Sequence, residues 1–265
     1  MSEAARPNGK YVDAGGVHTY YEVSGDGDPL IFLGGGLVTA ELSDAQVPAL
    51  AGSYRVYVPE RRGHGRTADV DGPITYEIMA TDTIAFMDAV GIEAAHLVGW
   101  SDGALVAMIV ALRHPARVKK VVYIGQNLNP DDVRPEAKGM LDGMTVETAP
   151  EMFAQLYAAT SPDGPHHWPV VFEKITTMFR TDPGLALNDL AGVKAPTLVM
   201  IGDDDLISVE HAGALQRTLP DGQVAVVPGA SHTLPLEKPD LVNRLILEFL
   251  SDEQVPKMMP ITGGH

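Results

Sequence analysis

The chain has 265 residues and a formal net charge of -16, from 35 acidic and 19 basic residues, a balance unsuited to nucleic acid or to an anionic membrane surface. Hydrophobic residues make up 45% and charged residues 20%, the composition of a chain that folds around a core rather than a disordered one. There are no cysteines, which excludes disulfides, thiolate metal sites and a cysteine nucleophile together.

Residues 11–12 and 17–23 flank Ala14-Gly15-Gly16 and predict a hairpin of two strands. A short apolar run over 30–33 ends at Gly34-Gly35-Gly36, and residues 54–58 form the next strand. Residues 76–90 carry apolar side chains at helical spacing (Ile78, Met79, Ile84, Phe86, Met87, Val90), with Gly91 as the stop. Residues 95–98 then read as a buried strand, 104–112 as a buried helix, and 118–124 as another strand. Strands that alternate with helices in this way predict a mostly parallel sheet covered on both faces.

From 126 to 189 the pattern changes. No strand is apparent, 150–159 and 166–179 look helical, and Met140, Met144, Met152 and Met178 add flexible apolar volume. This stretch is expected to be a helical cap inserted into a core made of 1–125 and 190–265. The sheet resumes at 197–201 and 224–227, which makes eight strands, and a final amphipathic helix covers 241–250. A loose tail is expected from Ser251, with Pro256, Pro260, Gly263 and Gly264. Residues 1–7 lack the apolar core of a signal peptide. The longest apolar run, 104–112, is far short of the roughly 20 residues that span a bilayer. The expected location is therefore the cytoplasm, with no membrane partner.

The most informative stretch is Gly99-Trp100-Ser101-Asp102-Gly103, a G-x-S-x-G pentapeptide between a strand and a helix. A serine at the apex of such a turn is strained, and the turn closes only if its neighbours two residues away carry almost no side chain. A serine hydroxyl also needs a base, and the base an orienting acid. His232, in Gly229-Ala230-Ser231-His232, is the candidate base, and Asp205, in Gly202-Asp203-Asp204-Asp205, the candidate acid. All three residues follow predicted strands, where parallel sheets form their ligand sites. Their order along the chain is Ser, Asp, His.

On these motifs the sequence resembles the α/β-hydrolase superfamily. Arg62-Gly63-His64-Gly65-Arg66-Thr67 is similar to its R-G-x-G-x-[ST] loop, and Gly229-Ala230-Ser231-His232 to its G-x-x-H. The resemblance implies an α/β-hydrolase fold and selects Asp205, three residues after Gly202, over Asp203 and Asp204. It also implies an oxyanion hole made by the backbone N–H groups of Asp102 and Gly36. Where most members carry His-Gly-x, this chain has Gly34-Gly35-Gly36, a departure that bears on the rigidity of the loop. The pentapeptide is similar to the elbow of the biphenyl hydrolase-like (valacyclovir hydrolase) group, in which an acid beside the serine helps to recognise a substrate amino group. Asp102 is thus a candidate for substrate binding. The other reading has it pointing away and bonding backbone at the helix start.

Phe153 and Trp168 are further candidates for the walls of a substrate pocket. His166 and His167 fit either the pocket wall of the cap or a surface helix start, and His64 is expected as a loop brace. No metal or nucleotide cofactor is expected, because neither metal-ligand spacing nor a phosphate-binding glycine loop is present. The expected activity is that of a cofactor-free serine hydrolase acting on a small carboxylic ester or lactone. Amino-acid ester, thioester, amide and carbon–carbon bond hydrolysis, haloperoxidase-like perhydrolysis and a slow, receptor-like binding role all remain open on the same residues, as does a homodimer.

Overall fold

The structure is a computed structural model that describes residues 9–182, 184–253 and 258–259. The expectations for residues 1–7 and for Pro256, Pro260, Gly263 and Gly264 lie outside the described residues. Among those described, no helix is long and apolar enough to cross a membrane.

Eight strands form one sheet: β1 (Gly9–Ala14), β2 (Val17–Ser24), β3 (Asp28–Leu33), β4 (Tyr54–Pro59), β5 (Ala95–Trp100), β6 (Val118–Ile124), β7 (Thr197–Asp204) and β8 (Gly222–Ser231). Their spatial order is β1-β2-β4-β3-β5-β6-β7-β8. β1 and β2 are antiparallel to each other, β2 is antiparallel to β4, and every other pair is parallel. This is an α/β-hydrolase fold.

Both faces of the sheet are buried, which is why its central strands read as nearly continuous apolar runs. Along β3, Ile31 and Leu33 pack on one face while Leu30 and Phe32 pack on the other. The first face is covered by α2 (Tyr76–Ala89), α3 (Asp102–Arg113) and α7 (Val209–Thr218). The second is covered by α1 (Val47–Leu50), α8 (Leu234–Glu237) and α9 (Pro239–Leu250). Thr75 caps α2 by accepting the Ile78 N–H, and Gly91 ends it at φ 74°. The sequence reading leaves α7 unassigned; its start is marked by Ser208, whose hydroxyl accepts the His211 N–H.

Between β6 and β7 lie α4 (Pro135–Asp142), α5 (Glu151–Thr160) and α6 (Trp168–Thr181), with no strand among the described residues. α4 buries no residue, so it has no apolar stripe to betray it in sequence. α6 is strongly amphipathic and buries Val171, Phe172, Ile175 and Met178. It is tied to the segment after β4 by Asp69, which pairs with Lys174 at 2.7 Å and His167 at 2.9 Å. Asp182 accepts the Tyr76 N–H at the start of α2.

The strand registers align the carboxyl ends of the central strands. Leu33 pairs with Gly99, Trp100 with Ile124, and Ile124 with Met200. The residues just past these ends, Gly34, Ser101, Gly125 and Asp205, therefore meet at one edge of the sheet.

Candidate active site

Ser101 sits between β5 and α3 at φ 55°, ψ -129°, a region that non-glycine residues rarely occupy. Such a conformation costs on the order of 1–3 kcal/mol and persists only where the surroundings impose it. Here the imposition is visible. A Cβ on Gly99 would lie 2.3 Å from the Gly103 carbonyl oxygen, and one on Gly103 would lie 2.0 Å from that of Leu33. Both glycines are required because the strand, the turn and the helix pass too close for any side chain.

Ser101 Oγ lies 3.0 Å from His232 Nε2, and His232 Nδ1 lies 2.9 Å from Asp205 Oδ1. An ionised carboxylate only accepts, so Nδ1 carries the proton and Nε2 is free to accept from the serine. The Asp205 side chain is fully buried, and it also accepts the N–H groups of Leu206 at 2.7 Å and Gly202 at 3.2 Å. These bonds fix the carboxylate with its acceptor toward the imidazole. Of the neighbouring acids, Asp204 is exposed and pairs with Arg134 at 3.2 Å. Asp203 accepts the Ala230 N–H and so steadies the loop that carries His232. The structure thus brings together Ser101, His232 and Asp205, and leaves Asp203 and Asp204 out.

Three supports of this arrangement were not apparent in the sequence. Trp100 Nε1 donates to the His232 carbonyl at 2.9 Å. Gly125, at φ 64°, passes beside the pair, where a Cβ would lie 3.1 Å from Asp205 Oδ2 and 3.2 Å from His232 Nδ1. Glu237, in α8, accepts from the hydroxyls of Ser231 and Thr233 and holds both sides of His232. Glycine followed by a polar pair after a buried strand is the only sequence trace of Gly125.

Gly35 and Gly36 approach the serine from the other side. A Cβ on Gly35 would lie 3.3 Å from Ser101 Cβ. Among the described residues, the Gly36 N–H meets no acceptor, and the Asp102 N–H, as the first of a helix, has none within it. Two free N–H groups on either side of a hydroxyl can hold a negative oxygen that develops there.

Asp102 is only 2% exposed. Its Oδ1 accepts the Tyr76 hydroxyl at 2.9 Å, and Gln126 in turn donates to that hydroxyl at 3.3 Å. Its Oδ2 is buried without a partner among the described residues and lies against Gly36. Burial pushes the Asp102 pKa up, against the nearby positive charge of Arg61. The side chain makes no bond to backbone among the described residues.

The site opens into a cavity of about 740 Å³, large enough for a small organic ligand. Ser101, Asp102, His232, Gly35 and Gly36 lie at its base. Leu37, Val133, Met144, Phe153, Phe179 and Leu206 are among its apolar walls. Phe153 takes the place expected of it. Trp168 does not: its ring is buried between Tyr157 and Phe172, with centroids 5.5 and 5.3 Å away, and lies outside the cavity lining. An aromatic residue at a helix start can face either side, and here the packing of α5 on α6 takes it. His167 pairs with Asp69. His64 is buried, with Nδ1 2.9 Å from the Arg62 carbonyl, and burial lowers its pKa to about 3.

The mouth of the cavity includes Met140 and Met152, which are 58% and 49% exposed. Among the described residues that line the cavity there is no lysine or arginine.

Comparison with known proteins agrees with this architecture. Residues 27–245 match the Alpha/beta hydrolase family. The mouse serine hydrolase BPHL is 29% identical, over 90% of this chain and 85% of its own length. A 2-hydroxy-6-oxo-6-phenylhexa-2,4-dienoate hydrolase from Burkholderia cepacia is 27% identical, over 77% of this chain and 80% of its own. Among solved structures, the meta-cleavage product hydrolase CumD of Pseudomonas fluorescens IP01 superposes with a TM-score of 0.77 at 26% identity. It covers 91% of this chain and 97% of that one.

Proposed function

This chain belongs to the alpha/beta hydrolase family, and on that premise we propose that it cleaves small, neutral carboxylic esters or lactones through an acyl-enzyme. Ser101 attacks the carbonyl carbon as His232 Nε2 takes its proton. Asp205 holds the imidazole and stabilises its charged form. The N–H groups of Gly36 and Asp102 receive the oxyanion. His232 then protonates the departing alcohol oxygen and draws a proton from water, which hydrolyses the acyl group from Ser101.

The observation that carries this reading is the hydrogen-bonded series Asp205–His232–Ser101, at 2.9 and 3.0 Å, at the base of an apolar cavity. The walls support an apolar acyl or alkoxy group. The lack of a cation in the described lining supports a neutral one. A dienoate such as the one named for the Burkholderia cepacia relative is a carboxylate, and no lysine or arginine of the described lining would pair with it here. Residues 126–189 act as a cap that shapes the pocket and limits the entry of water.

A second reading rests on Asp102 Oδ2. A donor beside the scissile carbonyl, such as the amino group of an amino-acid ester, would give that buried oxygen the partner it lacks. A panel of p-nitrophenyl esters, lactones, thioesters and amides, with Ser101→Ala as control, tests the main reading. Turnover of neutral esters that vanishes in Ser101→Ala supports it, and no turnover of any ester overturns it. Pairing each α-amino ester with its des-amino analogue tests the second, which fails if Asp102→Asn leaves their ratio unchanged.

A further inference from the structure

The loop that follows β3 opens with three glycines in succession, Gly34 to Gly36, which have no side chains to fix their peptide planes. Arg61, in the segment after β4, takes that part from beneath. It is 6% exposed, and its Nη2 donates one hydrogen to the Gly34 carbonyl at 2.9 Å and the other to the Gly35 carbonyl at 2.5 Å. Gly34 O also accepts the Gly103 N–H at 3.0 Å. Among the described residues, Gly35 O has no donor but Arg61. Nη1 is 3.6 Å from Met79 Sδ, and among the described residues no carboxylate lies within ion-pair distance of the guanidinium. A buried cation that spends its donors on two carbonyls is costly to maintain and calls for a reason.

The reason lies in the planarity of the peptide. The carbonyl of Gly35 and the N–H of Gly36 belong to one trans unit and point in opposite directions. A donor that grips the oxygen from below turns the N–H upward, away from Arg61. We propose that Arg61 is the positioning residue of the oxyanion site: by binding the Gly35 carbonyl it aims the Gly36 N–H at the carbonyl oxygen held over Ser101. The proposal rests on the hydrolase reading above. Arg61 also strengthens that N–H as a donor, because a hydrogen bond to one end of a peptide polarises the other. Its positive charge faces the developing oxyanion through the loop and offsets the carboxylate of Asp102. No contact with substrate is involved.

The test compares Arg61→Met and Arg61→Lys with the wild type, using a p-nitrophenyl ester that the wild type turns over. Loss of one aimed donor predicts a fall in kcat of about 10²–10³-fold in Arg61→Met, with KM within about threefold. Arg61→Lys keeps the charge but not the fork across both carbonyls; it should recover about tenfold of that loss and stay at least about tenfold below wild type. Affinity for an aryl boronic acid, whose tetrahedral adduct on serine mimics the oxyanion, should fall in step with kcat. Affinity for a non-hydrolysable ether analogue should hold. A merely structural role would weaken both ligands alike, and that result overturns the proposal. Unchanged kcat in Arg61→Met overturns it too. If Arg61→Met does not fold, Arg61→Lys carries the test, since a lysine variant with wild-type kcat and boronate affinity leaves no role for the guanidinium fork. Activity that survives Ser101→Ala instead removes the hydrolase reading itself, so the two failures are distinct.

Discussion

The elbow at the sheet edge and the helices over 126–189 are built on opposite principles. α3, which starts at the residue after Ser101, buries ten of its twelve residues, whereas α4 buries none. Around Ser101, Gly99 and Gly103 lie too close to neighbouring backbone to admit any side chain, and Gly125 turns at φ 64° beside Asp205 and His232. Over the cavity, methionines and exposed turns leave room. The difference teaches where each property resides. In the proposed mechanism the dense region sets the geometry of the reaction, because a strained serine holds its place only under tight packing. The same proposal gives the loose region control of what enters, because its side chains can re-pack around different ligands.

The sharpest way to break this division is to change the dense side first. Ser101→Ala should abolish ester turnover, and His232→Ala should lower kcat by about 10⁴-fold or more, measured at saturating ester. Asp205→Asn should follow with a large loss, while Asp204→Asn, at an exposed ion pair, stays near wild type; the reverse order would assign the acid wrongly. Gly103→Ala places a methyl group 2.0 Å from the Leu33 carbonyl oxygen. It should destabilise the fold by about 1–3 kcal/mol in chemical denaturation and reduce turnover with it.

The cap side predicts smaller effects of another kind. Phe153→Ala and Met144→Ala should move KM and chain-length preference by up to about tenfold, and leave the rate of labelling by a small fluorophosphonate nearly unchanged. If they cut that labelling as deeply as His232→Ala does, the division into two regions is wrong.

The smallest effect separates the regions by pH. His64 and His96 lie in the dense part, and burial holds their pKa values at about 3 and about 4. An unfolded chain binds protons at these histidines below about pH 6.5, and the folded chain does not. Stability should therefore fall as pH drops from 6.5 toward 4. His96→Phe, which keeps a ring against Tyr54, should flatten that slope in denaturation midpoints.

The same contrast decides what could be read from the sequence. The central strands were legible because burial on both faces writes an apolar run, and Ser101, Asp205 and His232 because each follows a strand within three residues of a glycine. α4 was not, since a helix that buries nothing carries no periodic stripe. Trp168 reads from sequence as an apolar wall residue, yet packing against Tyr157 and Phe172 takes it out of the pocket. Arg61 was illegible for a different reason. An arginine in a basic, glycine-rich loop looks like a solvent-facing charge, and only three dimensions reveal that it lies under Gly34 and Gly35.

Every step of the proposed reaction depends on Ser101 being the residue that reacts. Intact-protein and peptide mass spectrometry after brief exposure to a fluorophosphonate tests this directly. The prediction is one phosphonyl group per chain, carried by the peptide that contains Ser101, greatly slowed in His232→Ala and absent in Ser101→Ala. A label that persists in Ser101→Ala, or that sits on another residue of the wild type, would contradict it.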